Sequence, residues 1–470
     1  MPIRSSFTRG WPLAVLGLAP VISIARVAVV GGLVPVADFA LYSSVVAAGT
    51  FLSTIISFGQ VEQTIKAFPR LVADGRAGAL AYQTGRIAAT LAGRAMLMGM
   101  ALYAAAMLIA PEYRHFAAGT TGVALGTALF GLLASVQRSF TNLRRLAAGT
   151  VLRVSLATCV VCLAALSRDL TLILLAEAGA MLAAAGLTWI IFFRHLKPQA
   201  GDVAGRAQMR AGMIVFAAQI SAAAPFYLDR AYVTAILPGF AAGQYAVLAL
   251  GILAGSLLVS TIAQKTGPET IVLAHSGNAA LARRRLRHWM IVSAACWTLA
   301  MAAAGLVVAA GLVPTAYARY AITPTMLVPV WLIGLLLNGG HLEFLILALD
   351  REKGLLRAAL LFLFAVLAGA ALIAWYGGTI MTVLWGLVAA RLVYFLALWA
   401  ASRGQAVSAG PGSDAVLRAG SGAVAGRVDD GARGLAPGDG RYASAAVAPL
   451  ARRGDAAGSS QQSRKRGGAE

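Results

Sequence analysis

Charge is scarce in this chain. Only 12% of its 470 residues are Asp, Glu, Lys or Arg, about half the share of a soluble domain. A length that would allow three or more water-soluble domains therefore does not mean that here. Cysteine is scarcer still. Cys159, Cys162 and Cys296 all lie inside apolar runs, so no disulfide framework is available. Cys159-Val-Val-Cys162 has the spacing of a redox motif, but within an apolar run it reads as packing. No His/Cys/Asp cluster has metal-ligand spacing, and no cofactor is expected. No GxxxxGK[ST] phosphate loop occurs, which argues against nucleotide-driven pumping.

What the chain has is hydrophobic residues, 59% of the total. Runs of roughly 20 apolar residues are long enough to cross a bilayer as helices. Twelve are read, at 11–33, 39–60, 87–110, 117–137, 147–166, 170–193, 211–236, 243–263, 289–313, 321–348, 355–376 and 379–401. They are continuous rather than alternating, so a β-barrel is excluded. The first follows Arg4 and Arg9 as a signal peptide would, but its length and its later copy argue that it is retained.

The formal net charge is +21, and its placement sets a topology. With a cytoplasmic N-terminus, 21 Lys and Arg accompany the inside segments ahead of the tail, and only Arg114, Arg168 and Arg319 lie outside. The bases thus read as topogenic charge beside lipid headgroups rather than as a nucleic-acid surface. The expected location is the cell inner membrane, with both termini cytoplasmic. Outside loops are very short, which leaves nothing from which to build a far-side active site, so the chain is not read as an enzyme. Residues 403–470 contain thirty Gly or Ala and a single aromatic, Tyr442. Such a segment buries too little apolar surface to offset its ordering entropy and is expected to be disordered. Its basic end, Arg464-Lys465-Arg466, would attract anionic lipid or a cytoplasmic partner weakly.

A shift of 203 residues lays the first two runs on the seventh and eighth. Pro35 meets Pro238, Tyr42 meets Tyr245, Ser53 meets Ser256 and Ser57 meets Ser260, while Arg26 falls one residue from Arg230. Six runs separate the copies, so both have the same orientation, and parallel halves with a substrate site between them are a known transporter plan. The expected fold is an all-α polytopic membrane protein with two pseudo-symmetric six-helix bundles, 1–200 and 205–402, and a 403–470 tail. Pro20 and Pro225 interrupt the first helix of each half. Gly122-x-x-x-Gly126 and Gly251-x-x-x-Gly255 would let helices approach closely.

The segments Leu33-Val-Pro-Val-Ala-Asp-Phe-Ala-Leu-Tyr42 and Phe58-Gly-Gln-Val-Glu-Gln63 resemble the opening of polysaccharide flippases of the MOP exporter superfamily. So do Leu228-Asp229-Arg230 and Pro238-Gly-Phe-Ala-Ala-Gly-Gln-Tyr245 in the second half. Ala40 stands where that family usually has Gly. The resemblance implies a MOP/MATE-like fold enclosing a central cavity that opens alternately to each side. It also implies the cargo, an undecaprenyl-diphosphate-linked oligosaccharide moved from the cytoplasmic to the periplasmic leaflet. Membrane lipids, a polysaccharide polymerase and a chain-length regulator are the implied partners.

A charge near the bilayer centre costs at least about 2.5 kcal/mol, so each one within a run needs a reason. There are five arginines, Arg26, Arg94, Arg153, Arg230 and Arg391, against the acids Glu177, Asp229 and Glu343, with His341 nearby. Arg153, Arg230 and Glu343 lie close enough to helix ends to snorkel, and Arg94 is intermediate. Arg26 and Arg391 sit near mid-span, more than about 12 Å from a headgroup. They must face an acid, a wet cavity or an anionic ligand. Arginine's planar fork suits phosphate oxygens, and five arginines exceed three acids, so the set is assigned to the lipid diphosphate. Arg26 is expected to face the cavity, with an ion pair to Glu177 as the competing arrangement. Trp385, Tyr394 and Trp399 read as interfacial and lipid contacts. Two other functions compete: a cation-coupled multidrug exporter of the same superfamily, and a membrane glycosyltransferase, polymerase or ligase acting on the same lipid.

Overall fold

The computed structural model describes residues 18–19, 21–61, 64, 68, 71, 77–139, 143–193, 206–275, 278–349 and 351–403. Pro20 and the tail beyond Arg403 lie outside them. The described chain is helical, and among the described residues there is no strand. In lipid a backbone must satisfy its own hydrogen bonds, and a helix does so within one segment.

The elements are α1 (Val21–Leu33), α2 (Val36–Ser57), α3 (Ala77–Ile109), α4 (Phe116–Ser139), α5 (Leu143–Ala165), α6 (Leu170–Phe193), α7 (Arg206–Tyr227) and α8 (Asp229–Ile236). They continue with α9 (Gly239–His275), α10 (Ala279–Ala309), α11 (Thr315–Ala318), α12 (Pro324–Leu336), α13 (Gly339–Ala348), α14 (Glu352–Tyr376) and α15 (Ile380–Arg403). Among the described residues ten stretches are long and apolar enough to cross a membrane, and the chain is a multi-pass membrane protein. They coincide with ten of the twelve runs. The other two are the first helices of the two halves. In the 11–33 run the described helix covers Val21–Leu33. The 211–236 run is broken: Pro225 lies within α7, which stops at Tyr227, and α8 restarts at Asp229. The 321–348 run likewise turns at Leu337 and Asn338 between α12 and α13.

Packing follows the small residues. A Cβ on Gly126 would come within 2.6 Å of Met181, and one on Gly119 within 3.1 Å of Leu174, so α4 lies directly on α6. Gly251 and Gly255 play the same part where α9 meets α12, against Val330 and Gly334. One hydrophobic cluster joins Ile56, Leu91, Leu132 and Phe193 within the first half. Another joins Val233, Tyr245, Ile333, Phe362 and Leu384 in the second and reaches Ala40. A third joins Val30, Phe39 and Leu174 to Ala246 and Tyr320 of the second half. By contrast only 6% of the apolar window of α3 and 11% of that of α10 is buried. These two outer helices, third in each half, present their apolar surface to lipid.

Candidate functional site

The buried charges fall into two groups. In the first half Arg26 of α1 forms an ion pair with Glu177 of α6, Nη2 to Oε1 at 2.9 Å. The Tyr42 hydroxyl donates to the other carboxylate oxygen, Oε2, at 3.0 Å. Arg26 is 6% exposed and Glu177 and Tyr42 are fully buried, so the acid's charge is balanced on both oxygens. Arg153 of α5 lies over the Phe130 ring at 4.0 Å and has Arg26 and Glu177 as electrostatic neighbours.

The second group gathers Asp229, Arg230, Glu343 and Arg391. The break between α7 and α8 places the buried Asp229 at the start of a new helix, where its Oδ1 accepts the Arg230 backbone N–H at 2.7 Å. The Tyr245 hydroxyl donates to Asp229 Oδ2 at 2.5 Å, and the Tyr394 hydroxyl donates to Glu343 Oε1 at 2.9 Å. Arg230 turns aside to the Ala249 carbonyl, 3.5 Å away. His341 is buried, and its Nε2 has no hydrogen-bond partner among the described residues.

Arg391 of α15 differs from the rest. It is 9% exposed, stacked between Phe362 at 4.4 Å and Phe226 at 5.2 Å. Asp229 and Glu343 are electrostatic neighbours, yet among the described residues the guanidinium makes no hydrogen bond and no ion pair. It lines a cavity of about 440 Å³ together with Glu343, Tyr394, Phe226, Gln219 and Ser256. Gln219 and Ser256 also make no hydrogen bond among the described residues. One free cation, the Glu343 carboxyl held by the Tyr394 hydroxyl, neutral polar groups and aromatic faces thus converge on one space. Such a set suits an anion that also carries hydroxyl groups.

Of the five sequence-selected arginines, only Arg391 lines this cavity. Arg26 is held in the Glu177 pair instead. Arg94 caps the end of α2, donating from Nη1 to the Ile56 carbonyl at 3.0 Å and to Gln60 Oε1 at 3.4 Å. Tyr394, read from sequence as interfacial, is a buried cavity residue. Sequence reasoning missed the roles of Tyr42 and Tyr245 as carboxylate donors, although the repeat had already paired them. It also missed Phe226 and Phe362 as the rings that hold Arg391. Among the described residues no group of three His, Cys, Asp or Glu side chains could hold a metal ion.

No protein-family model matches the sequence, and no curated protein sequence matches it. Solved structures do. A variant of the Vibrio cholerae MATE transporter VcmN superposes with a TM-score of 0.58 at 16% identity, covering 84% of this chain and 95% of that one. The inward-facing conformation of a multidrug resistance MATE family transporter of the MOP superfamily gives 0.58 at 14%, covering 84% and 96%. A MOP superfamily transporter from Pyrococcus furiosus, described as having a binding pocket of reverse polarity, gives 0.52 at 14%, covering 83% and 94%. The chain has the fold of the MATE family transporters of the MOP superfamily.

Proposed function

We propose that this protein is a transporter that moves an undecaprenyl-diphosphate-linked oligosaccharide from the cytoplasmic to the periplasmic leaflet by alternating access. The observation that carries the reading is the unpaired Arg391 guanidinium facing the cavity. A buried cation without a partner is costly unless something completes it, and a phosphate oxygen pair matches its fork. The neutral groups of Gln219 and Ser256 and the rings of Phe226 and Tyr394 suit the sugar that follows the diphosphate. A solved structure of the same fold is described by its reverse pocket polarity, so this architecture accommodates pockets of more than one sign.

The test is rescue of glycan export in a flippase-null strain. Arg391→Gln should insert at normal levels and export no glycan, and Arg391→Lys should export partially because it keeps the charge without the fork. Full export by Arg391→Leu would overturn the reading. One observation favours a second reading, cation-coupled multidrug export: the carboxylate of Glu343 lines the same cavity. That reading expects Glu343→Gln to abolish drug resistance conferred by the protein, and the flippase reading expects no such resistance.

A further inference from the structure

The loop between α10 and α12, residues 310–323, belongs to the second half by sequence, yet its polar groups bind the first. Arg319 donates from Nη2 to the carbonyls of Gly31 at 2.7 Å and Val34 at 2.6 Å. The Tyr320 hydroxyl donates to Gly31 O at 2.6 Å, and the Tyr317 hydroxyl donates to Ala28 O. These acceptors lie in and just beyond the last turns of α1. The carbonyls of Gly31 and Val34 lie at or beyond the last turn, where helical partners run out and the negative end of the helix dipole favours a cation. Gln244 of α9 braces the loop, donating from Nε2 to the Tyr320 carbonyl at 2.8 Å. The Tyr320 ring, fully buried, meets Phe39 edge-on at 6.0 Å. Burial pushes the Tyr317 phenol up to about 12, so it remains a donor at neutral pH.

The cavity avoids this end of the molecule. Thr54, in the last turn of α2, and Leu355, in the first turn of α14, line it. The opposite end of α2, at Val36, adjoins the Val34 carbonyl that Arg319 binds. Among the described residues the Arg319 end is thus bridged by side-chain bonds between the halves, and this cavity lies towards the far end of α2.

We propose that residues 317–320 form a latch that holds the two halves closed at the Arg319 end, and that its release opens the transporter there. The proposal rests on the transporter reading above, though not on the identity of the cargo. Separating the halves breaks the Arg319, Tyr320 and Tyr317 bonds together, because all three end on one helix terminus. That makes the closed state all-or-none rather than gradually deformable. In the open state water can satisfy the freed groups, so the latch can release reversibly.

Two measurements on the full chain, with Cys159, Cys162 and Cys296 replaced by Ser, decide it. First, a Cβ on Gly32 would stand 3.6 Å from that of Ala316, inside the range of roughly 3.5–4.5 Å for a disulfide. The pair Gly32→Cys and Ala316→Cys should cross-link under mild oxidant. The cross-linked protein should export no glycan, and reductant should restore export in the same sample. Second, Ala246, 1% exposed and packed in the cluster shared by both halves, reports opening. An Ala246→Cys protein in vesicles should react slowly with a membrane-impermeant maleimide. Adding Arg319→Ala should raise that rate about tenfold or more, the factor that one lost charge-assisted bond represents. Arg319→Lys should lie between. Normal export by the cross-linked protein, or unchanged labelling in both Arg319→Ala and Tyr320→Phe, would overturn the latch. Labelling needs no cargo, so a rise in Arg319→Ala supports the latch even where Arg391→Gln exports normally and the cargo reading fails.

Discussion

The two halves carry the same tyrosine on the same helix, and each uses it on a buried acid, but to different ends. Tyr42 binds Glu177, which already has Arg26; Tyr245 binds Asp229, whose nearby Arg391 stays unpaired. The shift of 203 residues that superposes the tyrosines puts Arg26 on Asp229 rather than on Arg230. The sign of charge at that position is therefore reversed between halves. The partner helix is reversed as well. α6 and α15 both have 24 residues, and Glu177 and Arg391 occupy their eighth and twelfth places, one turn apart. Base on the first helix with acid on the sixth becomes acid on the first with base on the sixth. The first half closes its charges into a strut, and the second holds its cation open to a cavity. On the same repeat positions, one half pairs its buried charges and the other leaves its cation facing the cavity.

The largest effect should separate strut from site. Arg26→Met strands the buried Glu177 carboxylate, and breaking a buried pair costs about 3–5 kcal/mol. The protein should fall to a small fraction of its normal membrane level on an immunoblot. Adding Glu177→Gln removes the stranded charge while leaving an oxygen for the Tyr42 hydroxyl, and the level should recover. Arg391→Met removes a cation with no partner to strand, so its level should stay normal while export is lost. Equal depletion by Arg26→Met and Arg391→Met would erase the distinction between the halves.

That distinction was only partly legible in the sequence. Continuous apolar runs announced the helices, and Pro35, Tyr42, Ser53 and Ser57 announced the repeat. Glu177 was named as a partner for Arg26 because a mid-span charge must be answered somewhere. The break at Leu228 was hidden, since hydropathy runs on through Phe226, Tyr227 and Leu228 and a single Pro225 does not dictate a new helix. Arg319 looked like loop charge, because only folding brings it to the end of a helix some 285 residues earlier in the chain. Which arginine would remain unpaired was not readable either. Arg26 and Arg391 are alike in depth, and their difference lies in what α6 and α14 bring beside them.

A middle-sized effect sharpens the comparison at the tyrosines. Tyr42→Phe and Tyr245→Phe each remove one donor from a buried carboxylate, a loss of about 1–3 kcal/mol. In the first half Arg26 still holds Glu177, so the melting temperature of Tyr42→Phe in detergent should drop modestly. In the second half Asp229 would keep only the Arg230 backbone N–H as a hydrogen-bond donor among the described residues. Tyr245→Phe should therefore melt lower than Tyr42→Phe, and Asp229→Asn should reverse part of the loss. The opposite order of melting would mean that Arg391 already neutralises Asp229, and the guanidinium would then be less free to meet a ligand.

The smallest effect lies in the repeated serines. Ser53 and Ser57 are buried and turn back on their own helix, donating to Thr50 O at 2.6 Å and Thr54 O at 2.8 Å. Their counterparts Ser256 and Ser260 line the cavity. Ser260 still donates to Leu257 O at 3.1 Å, whereas Ser256 has no partner among the described residues. A back-bond of this kind adds little to a helix, so Ser53→Ala should change stability by about 0.5 kcal/mol or less, within the range of ordinary substitutions, and leave export unchanged. Ser256→Ala should be equally silent in melting, because no protein hydrogen bond is lost. If its hydroxyl meets the cargo, however, export should fall severalfold at limiting substrate, the loss of about one neutral hydrogen bond. The pair of alanine variants thus compares the same residue, at the same repeat position, with and without a cavity in front of it. Identical export by both would confine cargo contact to Arg391 and the aromatic faces, and the second half would keep its cation but lose its claim to read hydroxyls.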